Sequence, residues 1–182
     1  MSSVHWAAVV ASGSREDVAS FAEAARSGST PFALSSLAPF PPNLDEPQAT
    51  FWRERNWGCA EISPDDVHGP YDLNLDGSAL RWNFFCSGSP WPVFVNASLL
   101  HPDLSIDVVI VEPDTGIACA RRYHAGAQIK VVELSPEALG EMMDEADLTE
   151  TYPEADVLEK LVEALSSGPI EQMCSNSSLK PQ

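Results

Sequence analysis

Basic residues are scarce in this chain. Ten Lys and Arg stand against 27 Asp and Glu in 182 residues, a formal net charge of −17. Affinity for nucleic acid comes mainly from Lys and Arg neutralising phosphates, so direct nucleic-acid binding is disfavoured. The same shortage argues against an anionic membrane surface. Long apolar runs are missing as well. No window approaches the ~20 apolar residues that a membrane span needs. The stretch from Trp6 to Ala11 is too short for a signal-peptide core. A cytoplasmic protein is therefore expected. The four cysteines, Cys59, Cys86, Cys119 and Cys174, form no CxxC pair. Free thiols in a reducing compartment are the expectation. A Gly-rich phosphate loop, a GxSxG elbow and an HExxH helix are all lacking.

What is present suffices for a folded core. Apolar residues make up 44 % of the chain, and the length fits one domain of ~100–150 residues with an appendage. Val4 to Ala11 is apolar and partly β-branched, which predicts a buried strand. Ser14, followed by Glu16 and Asp17, predicts a capped helix with Val18, Phe21, Ala22 and Ala25 on its buried face. Phe32 to Leu37 reads as a short second strand, and Pro39, Pro41, Pro42 and Pro47 as an extended loop. A helix is expected over residues 48–56, with Phe51, Trp52 and Arg55 on one side. Strands are expected at Cys59–Ile62, Tyr71–Leu75 and Ala79–Cys86, the last with Leu80, Trp82 and Phe84 alternating against Arg81 and Asn83. Ser89 and Pro90 open a second main helix whose apolar stripe is Val93, Phe94, Ala97 and Leu100. Leu104, Ile106, Val108 and Ile110 alternate as a strand. Two more strands follow, from Ile117 to about His124 and from Gln128 to Leu134.

After Ser135 two helical patterns appear. The first carries Leu139, Met142, Met143 and Ala146; the second carries Val157, Leu158, Leu161, Val162 and Leu165. The order predicts an α+β fold: a ferredoxin-like antiparallel sheet in residues 1–134, with two main helices on one face. An acidic helical extension (135–171) and a frayed tail (172–182) follow.

Four segments together resemble a known family. They are His5-Trp6, Phe40-Pro41-Pro42 with Leu44, the run Trp52-Arg53-Glu54-Arg55-Asn56-Trp57-Gly58, and Phe84 to Pro92 with Ser89-Pro90-Trp91-Pro92. In this order they look like the YubB-type ferredoxin-like domain of plasmid- and phage-borne proteins. The turn Glu112-Pro113-Asp114-Thr115-Gly116 resembles that family's hairpin before its last strands. The likeness spans roughly residues 3–134. It departs at Cys59-Ala60-Glu61-Ile62, where the family has a richer aromatic and polar run, and the region after Ser135 has no counterpart. The resemblance implies a fold and a mobile-element origin, with no catalytic residue to carry over.

Candidate chemistry is sparse. Asp72-x-Asn74-x-Asp76-Gly77 matches half of a calcium loop, but the position that needs a bidentate acid is Asn83. A hairpin turn is the expected reading. The histidines, His5, His68, His101 and His124, are never paired at metal-binding spacing, and a site folded together from Cys119 and His124 is the remaining metal option. No metal or cofactor is expected. Asp65-Asp66 and Asp72 with Asp76 read as exposed loop carboxylates.

Charge distribution is the strongest functional clue. Residues 135–182 hold 11 acids and two bases, against 16 and eight in residues 1–134. Glu137, Glu141 and Glu145 follow one another at four-residue spacing, as do Glu150 with Glu154 and Glu159 with Glu163, and Lys160 is the only base between Ser135 and Ile170. Like charges on one helix face repel. A negative surface for a basic partner is one reading, and a soluble acidic tail is the plain one. The leading expectation is a non-enzymatic inhibitor that binds a basic, nucleic-acid-handling protein, as an anti-defence protein such as an anti-CRISPR does. Glu141, Asp144, Glu145, Glu154 and Glu159 would attract the target, and Trp52, Trp57 or Trp91 would anchor it if exposed. Self-association as a homodimer through the C-terminal apolar stripe is a further option. Two other classes stay open. One is a small-ligand or regulatory module using Arg81, Arg121 and Arg122 on an open sheet face. The other is an enzyme built on Asp and His groups brought together by folding.

Overall fold

Strand formation here follows where apolar side chains alternate or run continuously. The computed structural model describes residues 5–112, 115–145 and 153–166, with the side chains of 142–145, 153–156 and 166 outside that description. Its first strand, β1 (His5–Ser12), lies inside the sheet. It pairs antiparallel with β3 (Ala79–Cys86) on one side and with β4 (Ser105–Glu112) on the other, so that Val9 faces both Trp82 and Val108. The sheet is completed by β2 (Val67–Asp72) against β3, and by β5 (Ile117–His124) and β6 (Ala127–Leu134) beyond β4. The order β2-β3-β1-β4-β5-β6 is antiparallel throughout. The architecture is thus α+β, as the element order predicts.

Helices cover both sheet faces. On the first face lie α1 (Arg15–Ala25), the short α2 (Leu34–Leu37) and α4 (Trp91–Leu100). Val18 and Phe21 of α1, Leu34 and Leu37 of α2, and Val93 and Phe94 of α4 enclose Val9, Trp82, Phe84, Ile106 and Val108. Ser14 caps α1 by accepting the Asp17 backbone N–H at 3.1 Å. Asp45 caps α3 (Glu46–Asn56) in the same way, accepting from Gln48 at 3.0 Å. On the second face α5 (Pro136–Glu145) and α6 (Pro153–Ser166) cover Ala8, Val109, Val111, Ala118 and Ala120. The five helical side chains that do so, Leu139, Val157, Leu158, Leu161 and Leu165, are each at most 2 % exposed. Burial of this kind is worth about 1.5–3 kcal/mol per side chain. The C-terminal stripe therefore docks within its own chain.

Three local expectations are corrected. Residues 32–37 form no strand: both sides of β1 are taken by β3 and β4, and Leu34 and Leu37 instead turn into the core at helical spacing. Cys59 to Ile62 makes a single bridge, Cys59 to Gly88, rather than a strand. The strand expected at Tyr71–Leu75 begins earlier, at Val67, and gives way to a turn after Asp72. Among the described residues, no helix is long and apolar enough to cross a membrane.

Candidate interaction surface

Glu137 and Glu141 of α5 and Glu159 and Glu163 of α6 are exposed. Because Val157, Leu158, Leu161 and Leu165 turn toward the sheet, Glu159, Lys160 and Glu163 turn away from it. Ser135 caps α5 by accepting the Ala138 N–H at 3.2 Å. The Glu137 carboxyl is held below the usual range by its own backbone N–H and by the Ser135 hydroxyl. Glu159 keeps 71 % of its side chain exposed while reaching Arg81 at 3.6 Å. Glu141 and Glu159 thus lie on the solvent side. The side chains of Asp144, Glu145 and Glu154 lie outside the described residues.

The tryptophans divide differently. Trp57 is 1 % exposed, and its indole N–H donates to the Ala38 carbonyl at 2.9 Å. It belongs to the core, and this removes it from the anchoring set. The turn behind it is tight: a Cβ at Gly58 (φ +78°) would collide with the Ser89 carbonyl and the Pro92 ring. Trp52 is half-buried, edge-on to Phe40 and Trp57 at 5.3 and 5.6 Å. Trp91 is half-buried beneath the Arg121 guanidinium, 4.3 Å from its ring centroid. The aromatic that stands out is Phe51, 72 % exposed on α3. Its neighbour Trp52 turns inward one helical step away, so the two do not share one side of α3 as expected.

The three arginines proposed for a ligand site do not converge. Arg122 faces α6 and donates to Asp107 through Nε at 2.6 Å and Nη2 at 2.7 Å. Arg81 donates through Nε to Asn83 at 2.7 Å and pairs with Glu159. Burial depresses the Arg81 pKa, with the Glu159 charge opposing. Arg121 points to the opposite face, over Trp91. The sheet face that would have been open is covered by α5 and α6 across Ala8, Val109 and Ala120. Two partly open hollows, of about 240 and 370 Å³, are lined respectively by Asp17, His101 and Asp103 and by Ser27, Thr30 and Glu61, with no arginine in either.

The calcium-like motif is a hairpin turn between β2 and β3. Asp72 accepts from the N–H groups of Asn74 and Gly77 at 3.1 and 3.0 Å, and Asp76 accepts from Ser78 at 2.8 Å. The Ser78 contacts hold the Asp76 carboxyl below its ordinary pKa. Asp65 and Asp66 sit in a 3-10 turn, Asp65 exposed and Asp66 half-buried. Among the described residues, no three His, Cys, Asp or Glu gather as metal ligands. Cys119 turns its Sγ to Glu133 at 3.7 Å, and His124 Nδ1 lies 3.0 Å from the Leu104 carbonyl. His5 pairs instead with the buried Glu112 at 3.2 Å.

Cys59, Cys86 and Cys119 are free and buried. Hydrogen bonding with Cys59, together with burial, pushes the Cys86 thiol pKa well up. Burial pushes the Cys119 thiol up too. The Tyr123 hydroxyl, 1 % exposed as a residue and without an acceptor among the described residues, is raised by burial from 10 to about 12, with Arg121 opposing. These groups keep their protons longer when folded than when unfolded. Their contribution is complete below the unfolded pKa values and drains away as pH rises toward the folded ones. Stability should therefore decline at alkaline pH, by about 2 kcal/mol for Tyr123 alone, between pH 10 and about 12. Urea midpoints followed over that range check this, with Tyr123→Phe as control. The variant should flatten the decline, and superimposable curves would refute the assignment.

Comparison with protein-family models, with curated proteins and with solved structures finds no match for this chain.

Proposed function

We propose that this chain is a non-enzymatic interaction protein of mobile-element origin that captures and blocks a basic, nucleic-acid-handling protein in the cytoplasm, in the manner of an anti-defence inhibitor. The observation that carries this reading is the docking of α6. Its apolar stripe is buried against the sheet while Glu159 and Glu163 point outward. A solubilising tail needs no such orientation. An attracting surface does, because a fixed field steers encounters better than a fluctuating one.

The fold reading is of the same kind. The first four strands, with α1 and α4 between them, follow the order β-α-β-β-α-β and lie side by side as β2-β3-β1-β4. This supports a ferredoxin-like core, to which β5, β6, α5 and α6 are additions. The YubB-type resemblance of residues 3–134 is consistent with such a core.

Charge reversal tests the function. The combination Glu141→Lys, Asp144→Lys and Glu159→Lys should lower capture of the basic partner from host lysate by about tenfold or more at low salt. The gap between variant and wild type should close toward about 1 M salt, where screening reaches ~3 Å. Equal capture by both proteins at low salt would reject the electrostatic mechanism.

A further inference from the structure

The two edges of the sheet are built differently. β2 is broken by a register shift between His68 and Tyr71 and carries Pro70, which has no N–H to offer. Such an edge is guarded against further pairing. β6 has one irregularity, beside Ile129, and then runs in regular register with β5 from Lys130 to Leu134. Among the described residues, no strand lies on its outer side.

Edge strands are commonly protected by an outward lysine. The only lysine of β6 is not available for that task. Its ammonium donates to the carbonyls of Ala164 and Leu165, each at 2.9 Å, and so caps the end of α6. Val131 and Val132 are half-buried beside it, and Glu133 is exposed. The sequence here is acidic: residues 127–145 contain five carboxylates and one base. A second copy of the chain would bring its own charge of −17 to the same place, which opposes self-pairing.

We propose that β6, from Lys130 to Leu134, is an acceptor edge to which a cationic partner adds an extended segment as a seventh strand. Main-chain hydrogen bonds would supply affinity, and alternate side chains would supply selectivity. Aliphatic residues of the segment would lie beside Val131, Val132 and Leu134. Arginine or lysine would lie beside Glu133, on the face opposite α5. This rests on the charge reading given above and names the mode by which the basic partner is held.

The test uses the full chain and a short synthetic peptide with a valine–isoleucine core and arginines at both ends. A second peptide differs only by N-methyl groups on its central valines, which remove inter-strand hydrogen bonds and leave the charge unchanged. The first peptide should bind about tenfold more tightly than the second. It should also slow exchange of the outward-facing amides within Lys130–Leu134 while leaving β2 unchanged. Equal binding of both peptides, with no protection of β6, would overturn strand addition while leaving the charge reading standing. Failure of both to bind at low salt would remove the charge reading itself. Outward-facing amides of β6, those not bonded to β5, already protected without peptide would show the edge occupied by the chain itself, or by a second copy if protection rises with protein concentration. Either result overturns the proposal.

Discussion

Replacement of Trp82 by alanine is expected to remove about 3–5 kcal/mol of folding stability. Its side chain is fully buried at the centre of the first face, edge-on to Phe21 at 5.7 Å and tilted against Phe32 at 5.7 Å. Native domains hold only about 5–15 kcal/mol in total, so this single change approaches the limit of folding. Trp82→Phe separates the two contributions of the indole. Its N–H finds no acceptor among the described residues, and a buried donor left unpaired costs about 1–3 kcal/mol. Phenylalanine keeps most of the packing and discards that donor. Its urea midpoint should therefore fall much less than that of the alanine variant. If the two variants lose equal stability, packing around Trp82 is not the main contribution.

Asp107→Ala should be nearly as damaging, at about 3 kcal/mol. Asp107 is 3 % exposed and accepts hydrogen bonds from Nε and Nη2 of Arg122. That contact raises the Arg122 pKa. Removing the carboxylate leaves the guanidinium partly desolvated beneath α6. Replacing both partners by apolar residues, as in Asp107→Val with Arg122→Leu, should cost much less, about 1 kcal/mol, because no charge then needs compensation. Chemical denaturation of the single and double variants measures the difference. Equal losses would show that desolvation of the arginine does not govern this site.

Much of this arrangement was legible in the sequence, for identifiable physical reasons. The alternation of Leu80, Trp82 and Phe84 against Arg81 and Asn83 correctly marks β3, because a strand turns its side chains to opposite faces. The Asp72–Gly77 turn is equally clear, because Asp and Asn bond to nearby backbone N–H groups. The two-sided burial of the sheet left a signal that was easily passed over. Val109 stands between Val108 and Ile110 and Val111 follows; both are apolar as well and face α6. A nearly unbroken apolar run implies cover on both faces, whereas a clean alternation implies cover on one. Other features were not legible. Residues 34–37 span barely one helical turn, too few to display a period. Burial of Trp57 depends on Ala38 and Phe40, which reach it only through tertiary folding. The acids of α5 and α6 are visible as a composition. The outward direction of Glu159 and Glu163 depends on which stripe the sheet accepts.

Small side chains on the central strands have one more consequence. Ala7, Ala8 and Ala11 of β1 let helices approach from both directions, Ala7 and Ala11 toward the first layer and Ala8 toward the second. One thin partition therefore serves two chambers. Enlarging a single methyl on it would press on the chamber that side chain enters and tilt the partition toward the other. The carboxylate-bearing helices and the aromatic interior are in this way mechanically linked through the thickness of one strand.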